Sequence, residues 1–292
     1  MLCQTPLLIS PVLIVYFNMN SYFCIMEQEI LSRDLIAQPE RWRCALEIDR
    51  DSIEVAMLPD TDADQLIHKS LPLRPNIPME KAVQEAIYTN PLLLSEFAQI
   101  DVLVDSPDFC IIPTATAQAV DAEQILATAA INLDRKSAEM CEASPECSIA
   151  FAINTPLAGF LRRTFFNFNL HHILAPIIAN PPANNALFAA ITPGKIILTA
   201  TFLSKLLYAN ILRCENAEDA TYFITAVSKN LPMKSLPVLI SGQSEFARKV
   251  EQYLTRYLCA PEHIEIPSKL IRFGAEVTAL PQPLTAFLSC AL

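Results

Sequence analysis

The chain has 292 residues, of which 52% are hydrophobic and 18% are charged, and its net charge at pH 7 is −10. This composition excludes a mainly disordered chain and predicts one large globular domain or two of ordinary size. The excess of acidic residues argues against nucleic acid as a partner, because nucleic-acid binding depends on clustered Lys and Arg. For the same reason the overall charge does not favour a polyphosphate ligand.

The N-terminal residues 7–26 carry no charge and are long enough to cross a bilayer. No Lys or Arg precedes them, Pro11 interrupts them, and no small-residue cleavage site follows. Three interpretations stay open: a mis-assigned start with translation beginning at Met19 or Met26, a membrane anchor, or a signal peptide. Residues 1–39 are therefore treated as a separate leader, and contact with a membrane is expected only if the leader is real.

The nine cysteines are scattered along the chain, and none forms a CxxC pair. An odd number without paired spacing is a poor disulfide framework and a poor zinc site. The pattern is typical of small buried side chains in a reducing compartment, which predicts a cytoplasmic protein. A disulfide between Cys141 and Cys147, the one local pair, is the less favoured alternative.

Residues 40–183 are predicted to form a first lobe. Two β-type runs flank a turn at 49–52, and "QLIHKSLPLR" (65–74) adds a third extended run. Helical spacing in "MEKAVQEAIYTNPLLLSEF" (79–97) predicts a helix. "IDVLVD" (100–105) is a short apolar run, which is typical of a buried strand.

The remainder of this lobe alternates in the same way. "TAQAVDAEQILATAA" (116–130) predicts a helix, and a polar insert follows at about 133–147. "SIAFAI" (148–153) predicts the strand that completes the lobe's sheet. "NTPLAGFLRRTF" (154–165) begins with helix-capping residues and a proline, which predicts a further helix.

Residues 184–292 are predicted to form a second lobe with the same order of elements. The predicted elements are a hairpin at 187–200, a strand at 205–212, a helix at 215–230, a strand at 236–241, a helix at 244–258, a short strand at 263–266 and a helix at 283–292. Both halves thus read strand-strand-strand-helix-strand-helix-strand. This order predicts an α/β fold with helices alternating with strands in mixed sheets.

Four stretches carry a family resemblance: "FAINTPLAGFLRR" (151–163), "LHHILAPII" (170–178), the 187–200 hairpin and "LPVLISGQSEFARKVEQYL" (236–254). In this order they resemble the actin, sugar kinase and Hsp70 superfamily. More narrowly, the chain resembles an uncharacterised bacterial family of unknown function with an actin-like ATPase fold. A more distant likeness is to the actin-like scaffold of type IV pilus assembly. The resemblance covers about residues 40–292. It implies duplicated actin-like (ribonuclease H-like) lobes, each a mixed sheet of about five strands with flanking helices, facing across a cleft.

The resemblance also implies where a nucleotide would bind. ATP-hydrolysing members carry an Asp and a Gly-containing turn in the first hairpin, where the Asp holds the metal and the Gly lets backbone N–H groups approach the phosphates. Asp49 stands near the position of that Asp, but Arg50, Asp51 and Ser52 replace the glycine turn. We expect solvated hairpin residues here. The alternative is Asp49 as a magnesium ligand and Ser52 on a phosphate.

The second and third nucleotide-binding positions are also altered. The hairpin turn "TPGK" has no preceding carboxylate to orient a water, and we expect Lys195 to be an exposed turn lysine rather than a phosphate ligand. "VLISGQSEF" keeps one glycine, Gly242, at the start of a helix. That helix start could bind an anion or a ribose hydroxyl. It is expected instead to be capped by Ser244.

No other residues of the sequence are good candidates for catalysis, metal binding or nucleic-acid binding. His171 and His172 are adjacent rather than at a ligand spacing, so packed or turn histidines are expected and no metal site. Trp42 and the aromatic residues of 164–170 are typical of a core or an interface rather than of base stacking. We predict no catalytic residue.

Two functions follow from these observations. The favoured one is a non-catalytic actin-like scaffold with a degenerate nucleotide cleft, no cofactor, and a protein as partner, either an unknown protein or a second copy of the chain. The alternative is a divergent ATP-binding protein or weak ATPase that binds ATP with Mg through Asp49, Ser52, Lys195 and Gly242.

Overall fold

The computed structural model describes residues 30–61, 64–233 and 236–291. The apolar stretch 7–26, with its three interpretations, lies outside these residues. Among the residues that the structure describes, no helix is long and apolar enough to cross a membrane.

The described chain forms three sheets with flanking helices. In chain order the strands are β1 (Trp42–Ile48), β2 (Ser52–Pro59), β3 (Ile67–Pro72), β4 (Gln99–Val104), β5 (Phe109–Pro113), β6 (Lys136–Glu142), β7 (Cys147–Asn154), β8 (Phe168–His172), β9 (Ala186–Thr192), β10 (Lys195–Phe202), β11 (Lys205–Arg213), β12 (Val238–Ser241) and β13 (Glu262–His263). The α-helices are α1 (Met79–Thr89), α2 (Thr114–Ala117), α3 (Ala122–Thr128), α4 (Thr155–Thr164), α5 (Leu174–Ala179), α6 (Ala217–Asn230), α7 (Glu245–Tyr257), α8 (Ala275–Ala279) and α9 (Gln282–Ala291).

Two of the sheets have the same topology. Their strand orders are β3-β2-β1-β4-β8 and β11-β10-β9-β12-β13. In both, the first three strands pair antiparallel as successive hairpins and the last two join in parallel. Parallel neighbours require a crossover connection, and helices supply it here. The predicted α/β fold with two mixed five-stranded sheets is confirmed.

The strand that completes the first sheet was predicted wrongly. Residues 148–153 belong to β7, at the centre of a separate three-stranded sheet with order β5-β7-β6, and β8 takes the predicted place. The polar insert at 133–147 contains β6. Ala150 and Ala152 of β7 pack against Ile125 and Leu126 of α3. A short apolar run predicts a strand without indicating the sheet that receives it, which explains the error.

Two predicted helices are shorter than expected. The helix predicted over 79–97 ends at Thr89, and Pro91 begins a 3-10 helix. Proline lacks the N–H group that would continue the α-helical ladder, so the break falls there. The helix predicted over 116–130 is two short helices, α2 and α3, and Asp121 caps the second by accepting from the backbone N–H of Gln124.

The outer faces of the two sheets are covered by helices. Side chains alternate between the faces of a strand. Leu46 and Ile48 of β1 therefore join the outer core beneath α1 and α4, and Leu187 and Ala189 of β9 join the outer core beneath α6 and α7.

The inner faces of the two sheets meet in a shared core. Leu103 of the first sheet and Phe188 and Ile197 of the second belong to one buried cluster. Leu174 of α5 and Leu284 of α9 complete it. By the same alternation Glu47 and Asp49 lie on the inner side of the β1–β2 hairpin, and Lys195 lies on the inner side of β10, in phase with Ile197.

Candidate functional site

A cleft opens between the β1–β2 hairpin and the β9–β10 hairpin. Its volume is about 730 Å³, within the range of small-molecule sites. Its lining includes all four predicted nucleotide-binding residues: Asp49, Ser52, Lys195 and Gly242. Whether they bind a nucleotide stays a prediction, but their placement in one cleft is a structural fact.

Lys195 is buried and ion-paired at the bottom of this cleft, so the expectation of an exposed turn lysine was wrong. The residue is 4% exposed. Its Nζ lies 2.6 Å from Oδ2 of Asp49 and 2.9 Å from Oδ2 of Asp105. Asp105 directly follows β4, and its backbone N–H donates to the carbonyl of Ile48. The ammonium group therefore joins the second sheet to two carboxylates of the first.

The same ion pairs change the protonation equilibria of their members. Burial lowers the pKa of Lys195, but the carboxylates of Asp105 and Asp49 outweigh it and raise the pKa overall. Burial raises the pKa of Asp49, and the ion pair with Lys195 outweighs it and lowers the pKa overall. Arg213 of β11 also donates to Oδ2 of Asp105, at 2.8 Å. Asp105 thus contacts two cations, Lys195 and Arg213, both from the second sheet.

Asp49 and Asp51 were expected to be solvated hairpin residues, and only Asp51 is exposed. Oδ1 of Asp49 accepts a hydrogen bond from the backbone N–H of Arg50, and its side chain is 27% exposed. The backbone N–H of Asp49 donates to the carbonyl of Ser52. Two of the turn's amide groups are thus engaged within the turn.

Ser52 belongs to a polar cluster around Glu54. Oε1 of Glu54 accepts from the hydroxyl groups of Ser52 and Ser70, and Nε2 of His68 lies 3.0 Å from Oε2. Burial raises the pKa of Glu54, but these hydrogen bonds outweigh it and lower the pKa overall. The Ser52 hydroxyl therefore donates to a neighbouring carboxylate.

Glu47 is the most buried acid of the cleft lining. The residue is 3% exposed, and its Oε2 has no hydrogen-bond partner. Burial, partly opposed by Lys195, raises its pKa to about 8. A carboxyl group with such a pKa is mostly protonated at neutral pH.

Gly242, which lines the cleft, and Gly194, in the neighbouring hairpin turn, have different roles. Gly242 has a φ of +128°, and a Cβ atom there would lie 2.4 Å from the backbone oxygen of Ile191, so the close approach of two main chains requires glycine. Gly194 has a φ of +84° but open space around its Cα. Ser244 caps α7 by accepting from the backbone N–H of Ala247, as expected.

The remaining candidates are structural. His172 is fully buried, its Nε2–H group donates to the carbonyl of Ser106 at 2.9 Å, and burial lowers its pKa to about 4. His171 lies 3.0 Å from Oδ1 of Asp101. Within the described ranges no group of three or more His, Cys, Asp or Glu could hold a metal ion, and the seven described cysteines are free thiols.

The aromatic residues separate into core and surface. Trp42 packs partly buried against the first core, and Phe165 is buried. Phe166 is fully exposed. This segment was expected to lie in a core or at an interface. Phe165 lies in the core, and Phe166 lies on the surface.

Sequence reasoning missed two residues of the cleft lining, Glu47 and Glu54, and a partner of Lys195, Asp105. Asp105 and Glu47 lie at or near the ends of apolar runs that were interpreted only as strands, and Glu54 lies in β2. The available signal was the alternation of side chains, which places Glu47 and Asp49 on the same face of one strand. No local pattern indicates that Asp105 meets Lys195, 90 residues later.

Solved structures similar to this chain share its fold. A Bacteroides thetaiotaomicron protein with an actin-like ATPase fold and unknown function has a TM-score of 0.69 and 14% sequence identity, over 85% of this chain and 96% of that one. The PilM-PilN type IV pilus biogenesis complex gives a TM-score of 0.54 and 13% identity, over 86% of this chain and 97% of the matched chain. No curated protein matches the sequence.

The family assignment comes from the sequence itself. Residues 38–260 match the family described as "Protein of unknown function (DUF3822)", which is more than half of the chain. Together with the duplicated five-stranded sheets and the structural matches, this match identifies the chain as a member of the DUF3822 family with an actin-like ATPase fold.

Proposed function

We propose that this protein is a non-catalytic, cytoplasmic scaffold that keeps the actin-like architecture while its nucleotide cleft has degenerated. The observation that carries this proposal is the ammonium group of Lys195 between the carboxylates of Asp49 and Asp105. A carboxylate that holds an internal cation is not free to hold Mg²⁺, and Asp49 is the residue that would have to do so.

The charge of the cleft supports the same conclusion. Among the described residues of its lining, five carry a carboxyl group, and Lys195 is the one lysine or arginine. Triphosphate sites need cations or free backbone N–H groups. Here the lysine is neutralised by its partners, the Ser52 hydroxyl donates to Glu54, and Ser244 caps the α7 N-terminus.

A scaffold role requires a protein partner, and support for one is an analogy at the level of fold. The similar PilM chain was solved in a complex with PilN. We infer that the two lobes of the present protein likewise offer surfaces to another protein or to a second copy of the chain. Free thiols at all seven described cysteines support a reducing, cytoplasmic compartment.

The decisive experiment measures nucleotide binding. Thermal unfolding and titration calorimetry of the full chain with Mg-ATP and Mg-ADP, each to 5 mM, are expected to show no saturable heat and no rise in melting temperature beyond that caused by MgCl₂ alone. Binding at 100 times the dissociation constant would add about 2.7 kcal/mol of stability, which is easily measured. A shift that Asp49→Ala abolishes would overturn the proposal and establish the alternative, a divergent ATP-binding protein.

A further inference from the structure

Glu47 has no role in the proposed function, yet it is the most unusual group in the cleft. It is almost completely buried, and the pairing of β1 with β2 places it directly opposite Glu54. Its Oε2 has no hydrogen-bond partner. Buried polar atoms are nearly always paired, so an unpaired carboxyl oxygen on a residue that lines a cavity points to a missing hydrogen-bond partner.

The charges around this atom favour a cation as that partner. Glu47, Glu54, Asp49, Asp51 and Glu265 all line the cleft. Glu54 is ionised at neutral pH, because its hydrogen bonds from His68, Ser70 and Ser52 outweigh the burial and lower its pKa. The positive charge of Lys195 is compensated by its own two carboxylate partners. Even with Glu47 itself protonated, the other acids of the lining give the cleft an excess of negative charge around its unpaired oxygen.

The size and composition of the cleft indicate an organic cation rather than a metal ion. No metal-binding cluster of three or more ligating side chains occurs in the described part of the chain. A volume of about 730 Å³ is far more than an ion needs. Apolar side chains, among them Ile191, Ile240, Ile264 and Leu280, also line the cleft, and they provide a surface for a hydrocarbon body.

We propose that the cleft binds a small organic cation, a primary ammonium or guanidinium with an apolar body, whose N–H groups donate to the carboxylate of Glu47. The body lies against the apolar part of the lining. A quaternary ammonium is excluded from this role because it has no N–H group to donate. The inference rests on the proposed function in one respect, that the cleft does not hold a nucleotide.

Binding of such a cation depends on pH with a definite sign. The charged or titratable groups that act on Glu47 are Lys195 of β10, Asp49 of β1, Glu54 of β2 and Asp105 after β4. The carboxyl group of Glu47 has a pKa of about 8 in the empty cleft because burial outweighs the attraction of Lys195. An ammonium ligand favours the carboxylate form, so binding releases a proton. Affinity is expected to rise roughly 25-fold between pH 6.5 and 8.5, in proportion to the ionised fraction of Glu47.

The test uses 2-phenylethylamine and phenylguanidine as probes with the full chain. Titration calorimetry at pH 8 is expected to show saturable binding of both, and none of 3-phenylpropionate or 2-phenylethanol, which have similar bodies without the positive charge. Glu47→Gln removes the charge while keeping the size of the side chain, and it is expected to weaken binding at least tenfold. Glu142→Gln, at an exposed acid of β6, is the matched control and is expected to bind as the unaltered protein does.

The results that would overturn the proposed cation site are definite. Absence of amine binding to the unaltered protein at 10 mM, equal binding of the carboxylate, or undiminished binding to the folded Glu47→Gln variant would overturn the inference. The pH profile of the unaltered protein tests it without any variant, since an affinity that is flat between pH 6.5 and 8.5 contradicts it. Binding of Mg-ATP would instead overturn the proposed function, so the two failures are distinguishable.

Discussion

The β1–β2 hairpin and the β9–β10 hairpin occupy equivalent places in the two sheets, yet their turns carry opposite charge. The first turn presents Asp49, and the second presents Lys195, and the two side chains meet across the cleft at 2.6 Å. In a nucleotide-binding protein of this architecture both turns would face a shared ligand. Here they face each other. The difference shows that duplicated backbones can keep their symmetry while the residues at the symmetric positions become partners.

The largest expected effect comes from removing the cation of this pair. Lys195→Met leaves the carboxylate of Asp105, whose side chain is 2% exposed, with Arg213 as its remaining cation. Loss of one member of a buried pair costs about 3–5 kcal/mol of unfolding free energy. Urea unfolding measures it. Lys205→Met, at an exposed lysine of β11, is the control. An equal loss in both variants would show that the contact between the hairpins contributes nothing.

The second effect concerns Glu47 and depends on pH. In the unfolded chain this carboxyl group ionises near pH 4.5, and in the folded protein only near pH 8. Between these values the folded state binds more protons, so stability falls as pH rises, by up to about 1.4 kcal/mol per pH unit. Asp49, with a lowered pKa, and Lys195, with a raised one, do not titrate in this window.

Urea unfolding of the unaltered protein and of Glu47→Gln at pH 5, 6.5 and 8 measures this dependence. The variant is expected to be the more stable of the two at pH 8, with the difference vanishing near pH 5. A difference that stays constant with pH would mean that Glu47 ionises normally in the folded state.

A third effect separates Gly194 and Gly242, two of the three glycines of the second lobe. Gly242→Ala brings a Cβ atom within 2.4 Å of the backbone of Ile191 at a positive φ, and a loss of about 2–3 kcal/mol is expected. Gly194→Ala has a positive φ but open space, so about 1 kcal/mol is expected. Thermal unfolding gives the order of the two losses. Equal losses would indicate that β9 and the start of α7 do not approach each other so closely.

The smallest effect is at Asp49. Asp49→Asn removes one of the two carboxylates on Lys195 at a partly exposed position, and a loss of about 1 kcal/mol is expected. Asp51→Asn is the matched control two residues away, and since Asp51 is exposed its loss is expected to be within about 0.5 kcal/mol. Salt should reduce the Asp49 effect, because a partly exposed pair is screened. A loss at Asp51 equal to that at Asp49 would contradict the ion pair.

Much of the fold follows from local patterns, because strands and helices are specified by periodicity within a short window. The alternation in β1 and β2 and the helical spacing in α6 and α7 belong to this class. The assignment of residues 148–153 to the first sheet failed because sheet membership depends on neighbours distant in sequence, here β5 and β6.

The features of the candidate site fall into the same two classes, those predicted from local sequence and those that depend on distant neighbours. The sequence by itself determined the two hairpins, the Ser244 cap and the absence of a glycine-rich phosphate turn, because each is a property of a few consecutive residues. Only the tertiary structure decided that Lys195 is buried, that it meets Asp49 and Asp105, and that Glu47 lines the cleft with its Oε2 lacking a hydrogen bond. The physical reason is that burial and ion pairing depend on the packing of one sheet against the other, which no local pattern encodes.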